Sequence, residues 1–225
     1  MSNSGSGATC QPAPSPTARA LRLNALRAPN AAALRELLGR LPEPPWDVEL
    51  ADDDPALALV HGEGFESYAR VAVMARPIAG LPRAPFVGGI TIEEYRNEEA
   101  ENFTALEAAA MEGLAAFAEM GQPTGYEQAE GFDVFLVARA AGDLCGFAQT
   151  MSPEGWINWL GVAPNMRRIG VGHLLVAETA NRVREAGGTH LAATVQVDTP
   201  GQAFLAALGF RERGARRTQL IRRSA

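Results

Sequence analysis

Apolar residues recur three and four positions apart through Leu23, Leu26, Leu34, Leu37, Leu38 and Leu41. That spacing predicts one helix over Leu21–Leu41, or two broken near Pro29, ended by the cluster Pro42–Pro45. Trp46–Leu50, Ala56–His61 and Ser67–Ala75 read as short strands, separated by the turn residues Asp53-Asp54-Pro55 and Gly62-Glu63-Gly64. Arg76–Pro85, with three prolines and a glycine, reads as a linker. From Phe86 the pattern changes. Gly89–Tyr95 is strand-like, and Asn97–Met120 is helical, with Phe103, Leu106, Ala110, Leu114 and Phe117 on one face. Phe132–Ala138 and Leu144–Met151 form two strands around a turn at Gly142-Asp143. Trp156–Val162 is a further strand. A helix over His173–Ala186 is stopped by Gly187-Gly188, a strand covers His190–Val197, a short helix Gly201–Leu208, and a last strand Arg216–Arg222. The order β-α-β-β-β-α-β-α-β predicts an α/β fold with a mixed sheet, antiparallel at its start and joined to a crossover unit, with helices on its faces. No internal repeat is evident.

Composition bounds this picture. The 225 residues are 47% apolar and 20% charged, as in a globular protein. They divide into a tail at 1–17, rich in Ser, Gly and Pro and expected to be disordered, a small helix-and-strand subdomain with its linker at 18–85, and a larger domain at 86–225. No apolar run is long enough to span a bilayer, and the start of the chain lacks the features of a secretory signal. The two cysteines, Cys10 and Cys145, have neither disulfide nor metal-ligand spacing. The expectation is a cytoplasmic protein without a metal.

All twenty basic residues are arginine. A GC-rich, bacterial codon preference is the simplest cause. Whatever the cause, mechanisms that need a lysine amine are excluded, among them a Walker A loop, a pyridoxal Schiff base and a Ser-x-x-Lys acylase. The net charge of −6 argues against general affinity for nucleic acid or anionic membrane. The charge is uneven. Glu93–Asp133 holds eleven acids against Arg96 alone, while the last fifteen residues hold six arginines and one glutamate. Each block reads as a solvated face, or, for the acids, as a rim that attracts a cationic amine.

The segment with chemistry in it is Trp159-Leu-Gly-Val-Ala-Pro-Asn-Met-Arg-Arg-Ile-Gly-Val-Gly-His173. A strand runs into a glycine-containing turn and a helix follows at once. Backbone N–H groups then point into one concavity at the positive end of the helix dipole, which is a place for phosphate. Arg167 and Arg168 stand beside it. Gly170 and Gly172 could instead serve only a tight turn. A dinucleotide fold would need a third glycine where Leu175 stands.

Arg-x-x-Gly-x-Gly after a strand ending in Leu-x-Val resembles the acetyl-CoA pyrophosphate loop of the GNAT superfamily of N-acyltransferases. The resemblance covers the chain from about Phe86 onward and includes the later Leu208-Gly209-Phe210. It implies a GNAT-like, mostly antiparallel mixed sheet. It implies further that the backbone of Leu160, Gly161 and Val162 binds the pantetheine arm, and that Arg167, Arg168, Ile169, Gly170, Val171, Gly172 and His173 hold the pyrophosphate of acetyl-CoA (CoA). The reaction implied is direct transfer of an acetyl group to a primary amine in a ternary complex.

Two of the family's chemical groups are missing. Leu205 stands where many members have a tyrosine that protonates the leaving thiolate, and Trp156 where some have a glutamate base. An alkylamine of pKa about 10.4 is free base in roughly one molecule per 2,500 at pH 7, equivalent to about 4.6 kcal/mol. Desolvation and proximity can supply that much. Asn158 could polarise the thioester carbonyl or be an ordinary strand residue. Asp198, where relatives often have Asn, could act near the thioester or cap a helix. His190 reads as surface, and Glu98 and Glu101 could bind a substrate cation or serve only as complements to a helix dipole. An acyl-CoA-binding sensor without turnover is the alternative reading, and an interaction protein that has abandoned the cofactor a third. The expected partner is a small cationic or neutral amine, and the chain a monomer or homodimer.

Overall fold

The computed structural model describes residues 9–14, 21–114 and 134–223. They group into two compact units. The first comprises 9–14, 21–72 and 214–223, the second 73–114 and 134–213.

The first unit contains β1 (Thr9–Pro14), β2 (Leu21–Arg27), α1 (Ala31–Leu38), β3 (Trp46–Ala51), α2 (Ala56–Gly62) and the start of β4 (Glu66–Pro77). It also contains the later part of β10 (Arg211–Arg222). The strand order is β1-β2-β3-β10-β4. β2 runs parallel to β3, and β10 antiparallel to β3 from Arg217↔Ala51 to Arg222↔Trp46. Leu23, Leu34, Val48, Val60, Phe65 and Leu220 form the core.

Two expectations fail here. Leu21–Arg27 is a strand, because β1 and β3 pair with it and override the three-residue spacing of Leu23 and Leu26. Ala56–Gly62 is a helix. Asp54 Oδ1 accepts the Ala56 N–H at 2.8 Å, and Ala56 and Val60, four apart, are both buried. The tail expected over 1–17 contains β1, paired with β2, and its other residues lie outside the described ones.

The second unit runs β5 (Ile90–Glu94), α3 (Ala100–Met111), β6 (Val134–Ala140), β7 (Asp143–Met151), β8 (Trp156–Val162), α4 (Val171–Glu185), β9 (His190–Gln196) and α5 (Pro200–Ala207), then enters β10. Its strand order is β4-β9-β8-β7-β6-β5, with neighbouring strands from β5 to β8 antiparallel and β8 parallel to β9. The α/β class and the mixed sheet are as the residue pattern predicts, and its mostly antiparallel pairing is as the resemblance implies. α3 ends sooner than expected, before the left-handed Gly113, and 115–133 lie outside the described residues.

The sheet has a helix on each face. Leu136, Ala138 and Ala148 pack with Val171 and Leu175 of α4. Phe135 and Phe147, on the opposite face, meet Phe103 of α3 edge to face at 5.1 and 4.9 Å. The order strand, helix, strand, helix, strand also occurs in both units, a repeat the residue pattern did not reveal.

Candidate functional site

β8 and β9 pair only at Trp156↔Ala192 and Ile157↔Ala193 and then part. The cause is visible in the register of β7 and β8. Gln149 faces Trp159 and Thr150 faces Ile157, so Asn158 is an extra, bulged residue. A one-residue bulge reverses which backbone groups face which neighbour. Before it, Gly155 O accepts from Ala192 N on β9; after it, Ala163 N donates to Cys145 O on β7. Trp159, Gly161 and Ala163 therefore direct their backbone groups to β7, and Leu160 and Val162 direct theirs to the open edge. The resemblance assigned the pantetheine arm to Leu160, Gly161 and Val162; of the three, Gly161 turns its backbone to β7 instead.

Past β8 a short 3-10 turn over Pro164–Met166 leads to the loop. Arg168 (φ 67°) and Gly170 (φ 105°) are both left-handed, which bends the chain so that successive N–H groups converge. α4 begins at Val171 with Gly170 as its N-cap and no side-chain cap. Among the described residues, none of the six N–H groups from Arg168 to His173 has a protein acceptor. Six unspent donors at the N-terminus of a fifteen-residue helix make an anion site.

The structure gives the side chains of this loop different tasks. Arg167 donates from Nε to Val162 O at 3.1 Å and from Nη2 to Ala110 O at 3.0 Å. It braces β8 to α3, while Arg168 is exposed and has no ion pair among the described residues. Val171 is core, and Ile169 is half exposed. His173 Nε2 lies 2.9 Å from Pro82 O and donates to it. Residues 82–87 thereby run along the loop, a contact the linker reading of 76–85 did not foresee. A Cβ on Gly170 would stand 2.8 Å from Pro85 Cγ and 3.0 Å from Val87 Cγ2. Gly170 is thus required by its dihedral and by its neighbours alike. A Cβ on Gly172 would lie 3.2 Å from Phe204 Cζ.

Leu160, Gly161, Val162 and the loop are brought together. Asn158 stands where the strands part, its Nδ2 buried and without a partner among the described residues. Asp198 follows the end of β9. It lies five residues beyond Ala193, about 16 Å along an extended chain, exposed and with φ 59°. Its own N–H donates to Gln202 Oε1 at 2.8 Å, and the cap of α5 is Thr199. Glu98 and Glu101 are exposed, and His190 Nδ1 lies within hydrogen-bond distance of Thr189 Oγ1, 2.8 Å away. Leu205 is buried among Val176, Ala180 and Phe210.

The surrounding charge is smaller than composition suggests. Arg139 pairs with Glu99 and Glu93, and Arg182 with Glu94. The hydrogen bond to Glu99 raises the Arg139 pKa. Burial, then Glu99 and Glu98, hold the Tyr95 phenol above its ordinary value, so it stays neutral. Burial also pushes the Cys145 thiol up, which disfavours it as a nucleophile.

One buried acid escaped the sequence reading. Glu107 is 1% exposed, on the face of α3 that carries Phe103, Ala110 and Met111. The signal was available: an acid four residues after Phe103 and three before Ala110 lies on the apolar stripe of the helix.

With the loop and the parted strands described, comparison with known proteins identifies the fold that carries them. Residues 135–219 match the model of the FR47-like protein family. No curated protein matches the chain. Among solved structures, a GCN5-related N-acetyltransferase from Sphaerobacter thermophilus is 20% identical over 85% of this chain and 64% of its own, with a TM-score of 0.57. A GCN5-related N-acetyltransferase from Kribbella flavida is 20% identical over 91% of this chain and 82% of its own, with a TM-score of 0.61. A tandem GNAT protein from the clavulanic acid biosynthesis pathway is 19% identical over 91% and 75%, with a TM-score of 0.61. At such identities the likeness is one of fold. The C-terminal region of this chain has the GNAT superfamily fold. No helix among the described residues is long and apolar enough to cross a membrane.

Proposed function

We propose that the chain transfers an acetyl group from acetyl-CoA to a primary amine of a small molecule, by direct attack in a ternary complex. The observation that carries this reading is the row of unspent N–H groups from Arg168 to His173, adjoining the open edge at Leu160 and Val162. Those donors suit a pyrophosphate, and the edge suits an arm that adds to β8 as a further strand would. The thioester then lies at the bulge, within reach of Asn158 as a polarising donor. The high Cys145 pKa favours direct attack over an acyl-enzyme.

The acidic block favours a cationic or neutral acceptor. Its field is weakened where Arg139 and Arg182 neutralise Glu93, Glu94 and Glu99, and Glu98, Glu101 and Glu112 remain exposed. The buried Leu205, in place of a hydroxyl, favours the second reading, an acyl-CoA sensor without turnover.

Calorimetric titration with CoA, and thiol release from acetyl-CoA with polyamines, aminoglycosides, amino acids and peptides at two ionic strengths, separate the readings. CoA binding with amine-dependent thiol release is expected. Binding without release from any amine would leave the sensor. Absence of CoA binding would overturn both.

A further inference from the structure

The anion loop has different neighbours at its two glycines. A Cβ on Gly172 would lie 3.6 Å from Val162 Cγ2, so that end adjoins the open edge of β8. A Cβ on Gly170 would meet Pro85 and Val87, so the other end adjoins the strap over 82–87, which His173 fastens at Pro82 O. If the pantetheine arm leaves the pyrophosphate along the β8 edge, the adenosine, joined to the opposite side of the pyrophosphate, is directed to the strap.

Between Pro85 and Val87 stands Phe86, whose side chain is 97% exposed. A phenylalanine ring left in water forgoes what its burial contributes. One exposed apolar residue is ordinary in any protein, and here it is the placement that counts. Three large apolar side chains stand exposed among the described residues, and two of them flank Gly170: Ile169 within the loop and Phe86 in the strap. The charge nearby has one sign. Residues 76–89 and 163–173 contain Arg76, Arg83, Arg167 and Arg168 and no acid. Arg76 is buried and Arg167 braces β8 to α3. That leaves Arg83 and Arg168, both exposed and without an ion pair among the described residues. An open aromatic ring with unpaired guanidiniums near it is complementary to a flat base that carries phosphate.

We propose, on the basis of the acyl-CoA reading above, that Phe86 is a platform for adenine: its ring stacks on the base of CoA. The strap then recognises the nucleotide half of the cofactor, and the loop and the β8 edge recognise the rest. An acyl group carried on phosphopantetheine alone binds without that contact.

The test is calorimetry on the full chain with two probes, CoA and phosphopantetheine, which lacks the adenosine. Phe86→Ala should weaken CoA about 10-fold or more and leave phosphopantetheine affinity unchanged. Phe86→Trp should keep wild-type affinity for CoA. Its added indole should be quenched by CoA and not by phosphopantetheine, beyond any response of the three native tryptophans. Because the ring is exposed, both variants should match wild type by circular dichroism. Should Phe86→Ala fail to fold, the quenching of Phe86→Trp decides, and its absence overturns the platform. Wild-type CoA affinity in Phe86→Ala, or equal losses for the two probes, would overturn the platform and leave the acyl-CoA reading intact. If Phe86→Ala keeps CoA and sediments as a smaller species than wild type, the ring belongs to a contact between copies of this chain, and the platform is again overturned. If wild type binds no CoA, the acyl-CoA reading falls, and the platform with it.

Discussion

In the first unit β2, α1, β3, α2 and β4 follow one another as β8, α4, β9, α5 and β10 do in the second. Each run opens with a parallel pair joined through a helix, Leu21↔Trp46 in one and Trp156↔Ala192 in the other. Ala28-Pro29-Asn30 corresponds to Ala163-Pro164-Asn165, and Pro55 with Gly64-Phe65 to Pro200 with Gly209-Phe210 at the same interval. Gly64 and Gly209 are both left-handed, and Phe65 and Phe210 are both core. The two runs diverge immediately after the asparagine. Asn30 is itself the cap of α1, its side chain accepting Ala33 N at 2.9 Å. After Asn165 the second unit inserts the turn and loop, and α4 begins uncapped. One helix start is satisfied from within; the other keeps donors for something else. An anion site is made here by withholding a cap as much as by adding arginines.

The sharpest way to break the comparison is Gly172→Val. A side chain there meets Phe204 and crowds the row of N–H groups, so CoA affinity should fall at least about 100-fold, near 2.7 kcal/mol. Calorimetry at unchanged circular dichroism is the measure. Unaltered affinity would remove the anion role of the loop.

Gly209→Ala and Gly64→Ala form a matched pair. Both force a left-handed alanine, at a cost of about 1 kcal/mol or more. Gly209 should cost more, because its added Cβ would stand 3.0 Å from Arg76 Nη1, whereas Gly64 has open space. Arg76 is buried, donates to Leu208 O, and has its pKa lowered by that burial. Denaturant midpoints of the two variants would settle the order.

Asn30→Ala should have the smallest effect. Loss of its cap costs about 1 kcal/mol of stability and leaves CoA affinity unchanged. A change in affinity would show that the first unit takes part in the site.

Much of this was legible in the sequence because the second unit announces itself locally. The alternation of β6 to β8, the glycines before α4 and Leu208-Gly209-Phe210 each follow from turn geometry or periodicity. The first unit was harder to read because its strands depend on distant partners. β2 is a strand only where β1 and β3 pair with it, and Leu23 and Leu26 alone imitate a helix. The repeat escaped notice because the stretch between each asparagine and the following strand differs in length. Within the site, the loop could be read from residue order as a turn for phosphate, and the edge at Leu160 and Val162 came only from the resemblance. The bulge at Asn158 could not be read in either way, since a bulge is a relation between two strands. The same holds for the brace made by Arg167, which closes a contact with Ala110, 57 residues earlier in sequence.

The strands that pass between the units bear on the order in which the protein can be made. β10 stands between β3 and β4, yet residues 214–222 leave the ribosome long after 21–72. The described residues of the second unit end at 213. Synthesis order and completion order are therefore opposed: the unit begun first must wait, with β3 and β4 lacking a shared neighbour, until the later one has been made. A nascent chain arrested after residue 213 and clear of the exit tunnel should resist protease over 73–114 and 134–213 and be cut within 21–72, and extension through residue 222 should close that window.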